Sequence, residues 1–169
     1  ISYKFLFLHL PAAFIFFAFI YLAIPMLYVY DKSKIESAIC KNKNIECLIK
    51  GKVNYLFYPT PRIKIKNLVI NDLLKSKKTL ITAEQAIIKL SIKNLLVKEK
   101  HNFKKIELNN FEINLNFKNL TKYKDFFAKK VNFIPIIFAE GKIIFYDGKS
   151  YVATIYNVRS NLLFQEKSV

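Results

Sequence analysis

The side chains best able to do chemistry in this sequence are two cysteines, Cys40 and Cys47, and two histidines, His9 and His101. The cysteines lie close together in an even count, so in an oxidising compartment they could join as a disulfide. Closing so short a loop would stabilise the fold by about 2–3 kcal/mol on the chain-entropy account. Two small buried thiols explain the same residues equally well, and both readings stay open. A zinc-type site needs more ligands than two cysteines and a distant His101 supply. His9 falls inside an apolar run, where an ionisable group is a functional candidate by default. So near the start of the run it reads better as an interfacial residue without a special role. The carboxylates Glu107, Glu112, Asp125, Glu140 and Asp147 sit among lysines, as solvated outer-face residues do. With only Gly51, Gly141 and Gly148, the chain has no Rossmann glycine pattern and no P-loop. It also lacks a Gly-x-Ser-x-Gly elbow and an His-Glu-x-x-His pair. No catalytic constellation and no cofactor is expected, and an enzymatic site would have to lie beyond Val169.

The formal net charge of +16 invites a nucleic-acid reading. Nearly all of that charge is lysine, however, with arginine only at Arg62 and Arg159. Bidentate recognition of phosphate or guanine favours arginine. The lysines are scattered among asparagines and isoleucines, as residues solvating the outer faces of strands would be. Nucleic acid is set aside as a partner, and attraction to anionic lipid headgroups is preferred.

From Phe5 to Tyr30 no Asp, Glu, Lys or Arg occurs, and a helix crossing the hydrocarbon core needs about 20 such residues. Lys4 and Asp31 bound the run, while Tyr21, Tyr28 and Tyr30 gather toward its end like an interfacial aromatic belt. Pro11 and Pro25 are expected to kink or end the helix near its termini. A cleaved signal peptide fits less well, because the run exceeds an ordinary h-region and no A-x-A-like site follows it. The segment reads as an uncleaved signal anchor, residues 1–31, whose span covers about 5–30.

Beyond the anchor, Ser33-Lys34-Ile35-Glu36 has the pattern of a capping box. Ile35, Ala38 and Ile39 then give a short helix, Lys34 to Cys40, one apolar face. In Gly51 to Asp72 an apolar-aromatic run meets the Pro59-Thr60-Pro61 corner and an alternating run, Arg62 to Lys66, which predicts strand, corner, strand. Leu80 to Ala83 and Ala86 to Ile92 read as two short strands, and Asn94 to Lys98 as a helical turn at a corner. Phe103 to Leu108 is a strand, and Asn109-Asn110 mark a bend or bulge. The cleanest alternation is Phe111, Ile113, Leu115 and Phe117 against Glu112, Asn114, Asn116 and Lys118, a half-buried antiparallel strand. Leu120, Tyr123, Phe126 and Phe127 share a helical face, which is expected to cap one end of the sheet rather than lie on a membrane. Val131 to Phe138, Lys142 to Tyr146 and Tyr151 to Val158 read as strands, with turns at Gly141 and at Asp147-Gly148. Asn161 to Phe164 would start another. The predicted protein is mainly β with α: one N-terminal transmembrane helix, then an antiparallel, groove-like β-sheet with one or two short helices.

In their order, these features resemble the N-terminus of the AsmA family of bacterial envelope proteins, which includes TamB-like members. The matching pieces are the signal anchor, the short helix, and Ile49 to Pro59 running into Arg62 to Asn67. They continue with Ile87 to Leu96 (a strand, then Leu-Leu at a corner), Lys105 to Ile113, and the glycine-strand-aspartate hairpin Gly141 to Asp147. The two cysteines and the lysine richness depart from the family without touching that pattern. The resemblance implies a single-pass protein of the Gram-negative inner membrane with its body in the periplasm. Residues 32–169 would then be the N-terminal part of a β-groove domain that continues past Val169. It further implies that an apolar groove carries phospholipid toward the outer membrane, or otherwise serves outer-membrane biogenesis. On that reading the groove lining is Val53, Tyr55, Phe57, Ile63, Ile65, Ile88, Leu90, Phe111, Ile113, Leu115 and Phe117, with Lys64 and Lys66 as headgroup contacts. The partners are membrane phospholipid and other envelope proteins; the alternative role is a non-transporting scaffold that acts by protein–protein contact.

Overall fold

The computed structural model describes residues 3–40, 46–71, 78–128 and 134–162. Helix α1, Tyr3–Ala23, runs through Pro11, and Pro25 sits in a 3-10 turn, Ile24–Leu27, that follows it. The segment Phe7–Leu27 is long and apolar enough to cross a membrane, with a mean hydropathy of 2.3. Helix α2, Lys32–Cys40, begins earlier than the capping-box pattern predicts. Its cap is Asp31, whose carboxylate accepts from the Ser33 amide at 3.0 Å, the N-cap to N2 geometry. Glu36 serves elsewhere, accepting from the Ile49 amide at 2.6 Å. Helix and first strand are thereby joined side chain to backbone, and Cys40 and Cys47 are bonded as a disulfide across the same gap, with Cα atoms 6.0 Å apart.

The strands are β1 (Cys47–Ile49), β2 (Val53–Leu56), β3 (Arg62–Asn71), β4 (Thr79–Leu90), β5 (Phe103–Asn116), β6 (Ile136–Asp147), β7 (Ser150–Ile155) and β8 (Ser160–Leu162). They form one sheet in the order β1-β3-β4-β5-β6-β7, with β2 also on β3 and β8 also on β6. All pairs are antiparallel except β5 and β6, which run parallel. A parallel pair needs a crossover rather than a hairpin, and helix α3, Leu120–Ala128, lies in that crossover.

A crease crosses the whole sheet. Apolar residues of β3 are buried at Ile63 and Ile65 and then at Leu68; those of β4 at Ala83 and then Ala86; those of β5 at Leu108 and then Phe111. Each strand thus has two residues, not one, between successive inward positions, so its alternation slips by one. Leu68 pairs with Ala83 and Ala83 with Phe111, while Ile65 pairs with Ala86 and Ala86 with Leu108, so the slips line up strand to strand. Asn67 and Asn110 sit in the slip at positive φ (53° and 48°), the bulge conformation that asparagine tolerates better than most residues. The Asn110 side-chain Nδ2 donates to Glu84 Oε2 at 3.0 Å, linking the crease across β4 and β5. At the edges the crease divides the strands outright. β1 and β2 share β3 on either side of Gly51, and β7 and β8 share β6 on either side of Asn157, also at positive φ.

Several sequence expectations change accordingly. The two short strands read in Leu80 to Ile92 are one strand, β4, because β3 and β5 pair with it on both sides of the slip. Phe103 to Leu108 and the alternating run after it are likewise one strand. Gly141 is not a turn but lies inside β6, where Phe111 packs so closely that any Cβ would collide with its carbonyl and ring. The bulge expected at Asn109-Asn110 is present. Phe117 leaves the strand for a 3-10 turn, Phe117–Asn119, capped by the Asn116 side chain on the Lys118 amide at 3.1 Å. The turn that Asn71-Asp72 favours, the strand start at Val131 and the run to Phe164 extend outside the described residues.

Candidate apolar groove and its base

One face of the sheet is apolar in row after row. Tyr55, Ile63, Ile88, Ile106 and Ile136 make one row; Val53, Ile65, Ala86, Leu108 and Phe138 the next. Above the crease come Ile49, Leu68, Ala83, Phe111 and Gly141, then Ile70, Ile81, Ile113, Ile143 and Ile155, then Leu115, Phe145 and Ala153. The base of the sheet, beside α1, is filled. Ile35 and Ile39 of α2 and Leu95 of the β4–β5 connection join these rows in one core, with Tyr21, Leu22 and Tyr30 packed against it.

The predicted lining therefore divides. Tyr55, Ile63, Ile65, Ile88, Leu90 and Phe111 are buried, closed over by other side chains. Val53, Phe57, Ile113 and Leu115 are half-buried. Phe117 is 42% exposed and stacks on Phe145 with ring centroids 5.5 Å apart. What stays accessible is the far part of the face: Ile113, Leu115 and Phe117, joined by Ile143, Phe145 and Ile155. The last three escape a reading of the sequence because Ile143-Ile144-Phe145 is continuously apolar, and only the register with β5 shows which of them point inward. Leu115 stands twelve residues along β5 from Phe103 at the base, about 40 Å at the rise of a strand. Helix α3 begins at that far end, with Tyr123 buried.

The base is held by hydroxyls. Tyr55 donates to the Leu22 carbonyl at 2.9 Å, Tyr21 to the Ile92 carbonyl at 2.9 Å, and Tyr28 to the Leu96 carbonyl at 2.6 Å. Lys98 Nζ donates to the Val29 carbonyl. Tyr30 stacks on Tyr55 at 6.3 Å, and the His101 ring lies 6.2 Å from Tyr28. Burial, then the neighbouring Tyr21, pushes the Tyr55 phenol up to about 12, so it stays a protonated donor at neutral pH. A hollow of about 260 Å³ remains between α2 and the sheet, lined by Tyr30, Lys34, Ile35, Ile63, Lys98 and Phe103.

Lys64 and Lys66 lie on the outer face of β3, two and four residues above Arg62 at the base, or about 7 and 13 Å along the strand. In the β4–β5 connection Lys98 reaches the Val29 carbonyl, and Lys93 follows Ile92, which Tyr21 of α1 contacts, a placement that needs the topology. On the outer face Glu112 pairs with Lys142 at 2.9 Å, Lys89 with Glu107 at 3.9 Å and Lys118 with Asp147 at 3.6 Å. Hydrogen bonding from Lys142 holds the Glu112 carboxyl below its usual range, and Lys142 is raised by the same bond. Among the described residues no three His, Cys, Asp or Glu side chains come together as a metal site. Compared with known protein families and with curated proteins, the chain matches none.

Proposed function

We propose that this chain is a single-pass membrane anchor carrying a β-sheet that takes up phospholipid acyl chains on the far half of its apolar face. The observation that carries this reading is the continuation of the apolar rows past the filled core. Ile113, Leu115, Phe117, Ile143, Phe145 and Ile155 stay on one face and partly open, with Ile155 52% exposed. Covering a side chain of this size is worth about 1.5–3 kcal/mol, so an acyl chain laid along the face gains what solvent denies. The resemblance to the AsmA family supports a Gram-negative inner membrane, a periplasmic body, and phospholipid moving toward the outer membrane. The Cys40–Cys47 disulfide suits that oxidising compartment. In this reading the protein catalyses no reaction, and lipid, met by a filled base, enters above the crease.

Mass spectrometry of the detergent-extracted protein tests the proposal. Co-purifying phospholipid is expected, and it should fall in Leu115→Asp and Ile113→Asp. Phospholipid retained unchanged in both variants, or absent from the parent, overturns it. One observation favours a second reading, an envelope scaffold: among the described residues β7 pairs only with β6, leaving an edge that displays Tyr151 and Val152. Such an edge can accept a strand from another protein, and the same experiment would then return a protein in place of lipid.

A further inference from the structure

The contacts that hold the base of the sheet begin inside the apolar span, at Phe19, Tyr21 and Leu22, and continue past it at Tyr28, Val29 and Tyr30. Phe57 packs edge-on against Phe19 at 6.5 Å, Tyr21 donates to Ile92, and Leu22 accepts from Tyr55. All three α1 residues belong to the span Phe7–Leu27. The hydrocarbon core needs about 20 residues of helix, so starting the span at Phe5 moves its end only to Ile24, still past Leu22. Phe19 is eight residues before Leu27, about 12 Å along a helix axis. Anything touching Phe19 and Tyr21 is carried to the depth of the membrane boundary.

The two loops brought there are suited to it. In the β2–β3 corner Tyr58 is 77% exposed, and Pro59 and Pro61 have no amide donor that would need water. The β4–β5 connection exposes Ile92, Leu96 and Val97. Met26 and Leu27 of the 3-10 turn are exposed beside them, the latter by 84%. This collar is continuous with the apolar surface of α1, which is exposed from Phe7 to Ile20. Lys93 and Lys100 are exposed in the same connection, placed as headgroup-facing cations flanking an inserted apolar tip.

We infer that the Phe57–Pro61 corner and the Ile92–Val97 connection are inserted into the interface of the bilayer that α1 crosses. The sheet stands directly in the membrane surface instead of hanging from it on a tether. The inference rests on α1 being a membrane span and is independent of what the far face binds.

The test places a fluorescent label on single added cysteines, under non-reducing conditions that keep Cys40 and Cys47 paired. The whole chain is reconstituted in vesicles of phosphatidylcholine and phosphatidylglycerol. Labels go on Tyr58→Cys, Ile92→Cys and Leu96→Cys, with Phe14→Cys marking the anchor and Val152→Cys the far end of the sheet. Quenching by lipids carrying a nitroxide near the headgroup is expected to be several-fold stronger at the three loop sites than at Val152→Cys, and deep-nitroxide quenching strongest at Phe14→Cys. If Phe14→Cys is quenched while the loop sites match Val152→Cys, the inference fails and the anchor stands. That is the result expected of a surface reserved for a second protein, because none is present in the vesicles. If Phe14→Cys itself stays in water, both the anchor and the inference fail.

Discussion

The Tyr55 hydroxyl donates to the Leu22 carbonyl oxygen at 2.9 Å, fastening a strand of the sheet to the last turn of α1. The final carbonyls of a helix lack intrahelical partners, and Leu22, next to the end of α1 at Ala23, is among them. Tyr21 of α1 and Tyr28 just after it act in the reverse sense, donating to the β4–β5 connection. Tyr55→Phe is expected to cost about 0.5–1.5 kcal/mol. Combining Tyr21→Phe, Tyr28→Phe and Tyr55→Phe should speed amide exchange in residues 91–100 while β6 exchanges as before. Unchanged exchange in that connection would show that the hydroxyls do not hold the base.

The crease makes a different demand, on backbone conformation. At Asn67 and Asn110 the positive φ favours glycine and penalises a β-branched residue. Asn67→Gly should leave urea unfolding of the detergent-solubilised protein nearly unchanged, whereas Asn67→Val should cost about 1–2 kcal/mol. Asn110→Val should cost more, because it also loses the bond to Glu84. Equal midpoints for the Gly and Val variants would contradict the assigned backbone.

Gly141 and Phe111 are paired across β5 and β6. A methyl group at 141 would overlap the Phe111 carbonyl and ring, and overpacking of this kind costs about 1–3 kcal/mol. Gly141→Ala should therefore lower the unfolding midpoint measurably. A wild-type midpoint would mean that the two strands are not in this register.

The Glu112–Lys142 bond also links β5 and β6. Because the folded carboxyl lies below its unfolded value, its contribution is present above the unfolded value and is lost as pH falls through the lowered folded one. Lys142 is raised, so its share is present at neutral pH and disappears only as pH rises through its own folded value. Acid titration of unfolding stability should show a shallower decline for Glu112→Gln than for the parent. Identical curves would show that the pair contributes nothing.

Local pattern made some of this architecture legible in the sequence. The charge-free run gave α1, and the alternation of Phe111, Ile113 and Leu115 gave the inward side of β5. The crease was half legible. Asn109-Asn110 and Glu140-Gly141 do carry bend chemistry, but whether a bend ends a strand depends on whether its neighbours keep pairing through it. They do here, so Gly141 and the Ala83–Ala86 slip lie inside strands. The parallel pairing of β5 and β6 has no local signature, because alternation is the same in either direction. Glu36 fits a capping box by spacing, yet its carboxylate finds the Ile49 amide, a partner thirteen residues away. The filled base was missed for a similar reason: Leu95 reaches the core from a corner whose sequence alone does not say where it folds back.

Lipid uptake on the far half of the apolar face is tested most directly by photocrosslinking in intact membranes. A photoreactive phenylalanine analogue in place of Leu115 on that face is compared with one in place of Asn114, which points the other way on the same strand. The expected result is a phospholipid adduct at position 115 and none at 114. Equal labelling at the two positions, or no lipid adduct at 115, would contradict the account.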